Sequence, residues 1–454
     1  MNENIFREYD IRGIVEDDFN DDLVISIGHA FGTVLHKNKF NIVSISGDVR
    51  LTTGNLKKHL VEGLIKSGIN VIDMGVLPTP VNYFSLFNTE AVCSIQVTGS
   101  HNASEYNGFK LSLNKKPFYG SDIQNLKEMI KKENFYTSDT AGKYLKIDIL
   151  DSYVHYILNN IIIDKKIKVA MDCGNAVGCV VAPKIFKDLG IELAELYCDV
   201  NPDFPNHHPD PTVDENLVDL CEIVKKENCD FGIAYDGDAD RIVAVDEKAQ
   251  IVRSDILMSI FVNEIINENE TVVYDVKCSK ALKETILDRK GLPVMSKTGH
   301  SHIKNKIIET KSKLGGEMSG HIFFADRYFG FDDGIYVSLR LAELVSKSGK
   351  KLSELVSQIP KYHSTPEIRI DCKNDDEKIY ISKQTIEYFK SKYKCDTTDG
   401  VRIEFEGGWG LVRSSNTQPV IVCRFEAENQ NLLNDIKSKV LSKINEFGKI
   451  NVKI

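Results

Sequence analysis

No apolar run in this chain approaches the about 20 residues needed to cross a bilayer. The longest stretches, such as Ile256 to Val262, fall far short, so no transmembrane helix and no membrane partner are expected. Positive charge is also short: 57 Lys and Arg stand against 66 Asp and Glu, a net charge of −9. That deficit argues against a nucleic acid held on a broad basic surface. The ten cysteines contain no CxxC pair. Cys93 and Cys423 lie within apolar runs and Cys278 beside one, as reduced core thiols do. The opening Met1-Asn2-Glu3-Asn4-Ile5 lacks a basic segment followed by an apolar one, so no secretory signal is expected and the expected location is cytoplasmic. Low-complexity tracts are missing as well. What is present is 42% hydrophobic and 27% charged residues over 454 positions, the balance of a folded soluble protein. At about 100 to 150 residues per domain, roughly three to four domains fit.

A repeat emerges when apolar runs ending in Asp are aligned. Ile42 to Asp48, Val169 to Asp172 and Val272 to Asp275 each read as a buried strand leading into a helix-length amphipathic segment. The helices then end near glycine at Ser67-Gly68-Ile69, Leu189-Gly190-Ile191 and Lys290-Gly291-Leu292, with another apolar strand following. This βαβ rhythm predicts three related mixed α/β domains with largely parallel sheets, over residues 1–145, 146–252 and 253–364. From 365 to 454 the pattern changes to strands at Val401 to Phe405, Gly410 to Val412 and Val420 to Phe425 and a helix from about Asn429 to Phe447, predicting an α+β domain. The joints are short.

Open α/β sheets bind ligands beyond the carboxyl ends of their strands. After the expected strand Ala91 to Val97 comes Thr98-Gly99-Ser100-His101-Asn102, where Ser100 suits a nucleophile or phosphate carrier as well as an ordinary turn residue. The hydrolase pattern GxSxG fails, because Thr98 and Asn102 stand where glycines are needed. After Phe231 to Tyr235 come Asp236, Asp238 and Asp240, three carboxylates able to converge on one hard cation. An EF-hand loop from Asp236 would find Glu247 twelfth, but its sixth position is Arg241 where Gly is required. An aspartyl-nucleophile phosphatase would use Asp236 but expects Thr or Val at Asp240; it stays open as the enzyme alternative. Glu317 and Ser319, in Gly316-Glu317-Met318-Ser319-Gly320-His321, suit a pair of sugar hydroxyls. Arg413-Ser414-Ser415-Asn416-Thr417 offers a guanidinium fork, hydroxyls and an amide, which suit a phosphate dianion.

These four loops, in this order, together with Phe6-Arg7-Glu8-Tyr9-Asp10-Ile11-Arg12-Gly13 and Lys297-Thr298-Gly299-His300, resemble the α-D-phosphohexomutase superfamily over essentially the whole length. The nearest likeness is to its phosphomannomutase/phosphoglucomutase group. The resemblance implies four domains around a central active-site cleft and a phosphoserine at Ser100. It also implies Mg²⁺ held by Asp236, Asp238, Asp240 and a Ser100 phosphate oxygen. Phosphoryl would pass between C1 and C6 of mannose or glucose phosphates through a hexose 1,6-bisphosphate that serves as intermediate and activator. Glu317 and Ser319 would hold the 3- and 4-hydroxyls. Arg413, Ser415, Asn416 and Thr417 would bind the phosphate far from Ser100. Arg12, Lys110, Arg241, Lys277, His300 and His321 match family positions that line the cleft, and His101 and Tyr9 match its motifs. Lys110 or His321 would carry the proton. His29, His36, His207 and His208 receive no role. Met318 resembles the mannose/glucose group rather than glucosamine-specific relatives. Ala103 departs from the pattern, since the family usually has Pro there, and that loss bears on the stiffness of the loop. The partners implied are small hexose phosphates, and one chain would suffice for the site. A non-enzymatic sugar-phosphate sensor is the alternative of a different class.

Overall fold

The computed structural model describes residues 1–415 and 419–448. The chain divides into two compact units, Met1–Leu257 with Ser319–Val356, and Met258–Met318 with Ser357–Ile454. No helix among the described residues is long and apolar enough to cross a membrane.

In the first unit, the strand Ile42–Gly47 runs parallel to Asn70–Val76 on one side and to Ser94–Val97 on the other. Ser44 and Ser46 are buried along with Val43 and Ile45, because the strand is covered on both faces, as parallel strands are. Ile27 and Phe31 of the helix Asp21–Lys37, with Leu60 and Leu64 of the helix Thr53–Lys66, share one core with Val43, Ile45 and Ile95. The sheet is not parallel throughout. Tyr106–Leu113 lies antiparallel between Ile11–Ile14 and Ser94–Val97, setting Arg12 opposite Gly108 and Lys110 opposite Gln96. The strand that the βαβ rhythm does not anticipate is the one that carries Lys110 to Asp238 and Asp240. The strand before that loop begins at Ser94 rather than Ala91, because the Thr89 hydroxyl accepts the Ala91 N–H at 3.1 Å and holds a turn there.

A second sheet in this unit pairs Lys168–Asp172 parallel with both Glu192–Leu196 and Phe231–Tyr235. Phe231–Tyr235 then pairs antiparallel with Ile242–Asp246. Residues 236–241 are therefore a tight reversal, with Ala239 in the left-handed region at φ +60°.

The second unit contains the parallel strands Leu292–Ser296, Thr271–Asp275 and Leu314–Gly316. It also contains an antiparallel sheet in which Val420–Ala427 and Gly408–Ser414 lie side by side, followed by Val401–Phe405. The helices Asp375–Lys390 and Gln430–Gly448 bury Ile381, Phe389, Ile436 and Val440 against Ile403, Val412 and Phe425. All three helices end near the expected glycine, with a strand following. Gly68 and Gly190 follow their helices at φ +74° and +76°, but in the third repeat Lys290 takes the left-handed position at +55°. Gly291 instead admits the side chains of Ile266 and Ile286, each 3.0 Å from where its Cβ would be.

Candidate active site

Ser100, at 1% exposure, sits in the turn after Ser94–Val97. Its Oγ lies 3.1 Å from His101 Nδ1 and 3.3 Å from Asp236 Oδ2. The turn that carries Asp236 packs directly on this loop: a Cβ at Gly237 would stand 2.2 Å from the Ser100 carbonyl oxygen. Two loops far apart in sequence thus meet at one hydroxyl and one carboxylate.

Asp236, Asp238 and Asp240 are wholly buried, and an oxygen from each lies within 4.8 Å of the others. Lys110 Nζ donates to Asp238 Oδ2 and Asp240 Oδ2, both at 2.6 Å. The Thr79 hydroxyl donates to Asp238 Oδ2 at 2.5 Å, and Arg241 Nε lies 3.6 Å from Asp236 Oδ2. Two cations face three carboxylates, so one negative charge is left over. Burial pushes Asp236 up, and the charges of Asp238 and Asp240 add to it, holding its carboxyl well above the ordinary range. Burial raises Asp238 too, but the Lys110 ammonium and the Lys110 and Thr79 hydrogen bonds outweigh it and hold Asp238 below that range. Burial opposes the Lys110 charge, yet Asp238 and Asp240 fix it as a firm cation. Oδ1 of Asp238 is buried with no hydrogen-bond partner among the described residues. Excess negative charge, all-oxygen donors and an orphaned carboxylate oxygen fit a hard divalent cation.

His321, at 3% exposure, follows Gly320, whose carbonyl accepts the Ile242 N–H at 3.1 Å. Arg241 Nε donates to His321 Nε2 at 2.9 Å, and Nδ1 lies 3.0 Å from Asp332 Oδ2. An accepting Nε2 leaves the ring proton on Nδ1, facing Asp332. Arg12 donates to Asn102 Oδ1 at 2.7 Å and pairs with Asp10. Burial first, then the charges of Arg241 and Arg12, push the His101 imidazole well down, so it is neutral. Tyr9 and Ser319 are half-buried in this unit.

The second unit gathers the remaining predicted residues in pieces. Glu317 Oε1 accepts the N–H of Gly299, the residue before His300. Asp275 accepts the Thr298 hydroxyl at 3.0 Å and the Met318 N–H at 3.3 Å, tying the Thr298 and Glu317 loops together. Asp399 accepts the Thr298 N–H at 3.1 Å and Arg413 Nε at 2.9 Å. Lys277 pairs with Glu367 at 2.7 Å. The Ser415 carbonyl accepts from Lys378 Nζ at 3.0 Å. Asn416 and Thr417 lie outside the described residues.

Sequence reasoning missed Asp48, Arg50, Thr79, Asp332 and Asp399. Asp48 was visible as the residue ending the first strand, at the carboxyl edge where ligands collect, and Arg50 follows two residues later. Thr79 and Asp332 carry no local signal, since their partners are distant in sequence.

Models of the phosphoglucomutase/phosphomannomutase family match the chain in four consecutive pieces. These are α/β/α domain I at residues 3–137, domain II at 151–249, domain III at 253–362 and the C-terminal domain at 367–443. The phosphomannomutase/phosphoglucomutase of Pseudomonas aeruginosa is 41% identical over 437 residues, covering 96% of this chain and 94% of the relative. The phosphoglucomutase of Neisseria gonorrhoeae is 38% identical over 444 residues, covering 96% of this chain and 95% of the relative. The crystal structure of a phosphoglucomutase/phosphomannomutase family protein from Burkholderia thailandensis superposes with a TM-score of 0.93 at 37% identity, covering 100% of this chain and 99% of the other. With four domain models in register and two fifths of its residues shared along nearly the full length, the chain belongs to the phosphoglucomutase/phosphomannomutase family.

Proposed function

We propose that the protein is a phosphohexomutase moving a phosphoryl group reversibly between C1 and C6 of mannose and glucose phosphates, through phospho-Ser100 and a hexose 1,6-bisphosphate that also acts as activator. The observation that carries this reading is the Ser100 hydroxyl held 3.3 Å from Asp236, in a buried carboxylate set fit for a divalent cation. Asp236, Asp238, Asp240 and a phosphoserine oxygen would hold Mg²⁺, which would supply charge neutralisation at the transferring group and ease departure of the serine oxygen.

Lys110 and Arg241 hold fixed positive charge at the carboxylates around the transferring group. Arg12 holds Asn102 and keeps its side of the loop in place. His321, engaged at both nitrogens, holds Arg241. Of the proton carriers the resemblance implies, Lys110 is held as a cation by Asp238 and Asp240 and His321 is engaged at both nitrogens. The role therefore passes to the neutral His101 imidazole, 3.1 Å from Ser100 Oγ, which takes the hydroxyl proton when phosphoryl returns to the enzyme. Glu317 and Ser319 hold the sugar hydroxyls, Arg413, Ser415, Asn416 and Thr417 hold the phosphate far from Ser100, and Lys277, His300 and Tyr9 complete the substrate-binding set. The division of labour follows the four domains 1–145, 146–252, 253–364 and 365–454. The enzyme works as a monomer in the cytoplasm on small hexose phosphates. Both Asp236 oxygens are occupied, Oδ1 by the Arg241 N–H at 3.1 Å and Oδ2 by the Ser100 hydroxyl, which disfavours Asp236 as a phosphatase nucleophile. The intact Ser100, aspartate trio and Arg241 weigh against a sensor without turnover.

The direct test is a coupled mutase assay on glucose, mannose, glucosamine and N-acetylglucosamine 1-phosphates with a trace of hexose 1,6-bisphosphate, alongside intact-protein mass spectrometry. One phosphate on Ser100 and comparable kcat/KM for the glucose and mannose substrates are expected, with glucosamine 1-phosphate poor. Glu317→Gln should impair both good substrates together, since it removes a charged acceptor from hydroxyls they share. A preference for glucosamine 1-phosphate would overturn the substrate assignment, and turnover of none of the four would overturn the reaction.

Gly237 supplies a second test. Its absent Cβ leaves room for the Ser100 carbonyl, so Gly237→Ala should displace the phosphoserine loop. A misplacement of about 1 Å at a reacting group lowers turnover roughly 100-fold. Wild-type kcat in a folded Gly237→Ala protein would show that the contact between the loops does not set the chemistry.

A further inference from the structure

Ser100 has φ +51°, a left-handed conformation that residues with a Cβ rarely adopt. Such a conformation persists only where the surroundings over-determine it. Here the surroundings are Asp48 and Arg50, directly after the strand Ile42–Gly47, with side chains 2% and 1% exposed. Asp48 holds the entrance of the loop. Its Oδ2 accepts the Thr98 hydroxyl at 2.7 Å and the Gly99 N–H at 3.2 Å, and Thr98 Oγ1 accepts the Ser100 N–H at 2.8 Å. Arg50 holds the exit. Its Nη2 donates to the carbonyls of Ser100 at 2.9 Å and Asn102 at 2.6 Å, and its Nη1 donates to those of Tyr106 at 3.1 Å and Ala103. Nε returns to Asp48 Oδ2 at 3.0 Å, closing the two side chains into one unit. The loop rests on this unit without a gap, for a Cβ on Gly99 would come within 2.6 Å of the guanidinium carbon. On the other side, the Phe204 ring centroid lies 5.1 Å from that carbon.

We infer that the Asp48–Arg50 pair is the positioning device of the phosphoryl carrier: it locks Ser100 in the left-handed conformation and so keeps Oγ at the Asp236 carboxylate while the bisphosphate turns over. The inference rests on the mutase reading. Only a planar fork reaches four carbonyls along one loop; an ammonium has a single nitrogen.

Arg50→Lys keeps the charge and removes the fork. In the full-length protein, with glucose 1-phosphate and a trace of glucose 1,6-bisphosphate, kcat should fall about 100-fold while KM changes little. The share of Ser100 phosphorylated after incubation with the bisphosphate should fall with it. Amide hydrogen exchange across residues 99–106, measured without substrate, should quicken while the strand Ile42–Gly47 keeps its protection. Thr98→Val, which cuts the link to Asp48, should reproduce these changes, and Thr98→Ser should restore most of the turnover; this pair decides the matter if Arg50→Lys does not fold. Unchanged kcat and unchanged exchange in Arg50→Lys and Thr98→Val would overturn the inference, as would a raised KM at constant kcat. Wild-type protein without mutase turnover would sink the proposed function instead, leaving the exchange comparison to judge the clamp.

Discussion

Ser100→Ala is expected to lower turnover by roughly 10⁴-fold or more, the scale on which removing a covalent nucleophile acts in enzymes that depend on one. The substitution deletes the oxygen that carries the phosphoryl group and adds nothing in its place. Its effect on stability should be small. The hydroxyl makes two contacts, at 3.1 Å to His101 and 3.3 Å to Asp236, and alanine tolerates the left-handed backbone no better and no worse than serine. A change within about 1 kcal/mol is therefore expected on the usual worth of a hydrogen bond. Thermal unfolding and the coupled assay separate the two quantities. Substantial activity in a folded Ser100→Ala protein at saturating bisphosphate would mean that phosphoryl passes through water or Asp236, and the assignment of Ser100 would fall.

Asp238→Asn should have the next largest effect. The amide still offers an oxygen but no negative charge, so Mg²⁺ should bind more weakly and turnover should drop by about 10² to 10³-fold, as expected when a metal ligand's charge is lost from a phosphoryl-transfer site. The same change removes one of the two carboxylates facing the Lys110 ammonium. Lys110 keeps Asp240, so the stability cost should stay below the about 3 to 5 kcal/mol of a fully broken buried pair. A metal titration of activity, run well below the unfolding temperature of both proteins, reads the first effect free of the second. An unchanged titration would remove Asp238 from the metal site.

The strand ends and their polar loops were legible because each is local: an apolar run, an acidic or glycine-rich stop, and then unusual polar residues. The aspartate trio could be read as a cation site from charge repulsion alone. Its second partners could not. Thr79 meets Asp238 across 159 positions of chain, and Lys110 does so across 128. Arg50 reaches the Ser100 loop from 50 residues away and looks, in sequence, like one more surface arginine after a strand. Register also escaped the periodicity argument. Nothing in the run Tyr106 to Leu113 says that it enters the sheet antiparallel, yet that direction is what sets Lys110 opposite Gln96. At the third helix end the left-handed residue is Lys290, and Gly291 serves packing instead, leaving room for Ile266 and Ile286.

The left-handed backbone at Ser100 sets chemistry and stability against each other at one position. For a residue with a Cβ that conformation costs about 1 kcal/mol or more, and glycine adopts it freely. The backbone at position 100 favours glycine, and on the proposed carrier role only turnover favours serine. On that role, Ser100→Gly should therefore raise the unfolding temperature slightly while abolishing turnover, a trade that the coupled assay and thermal unfolding would read in one variant.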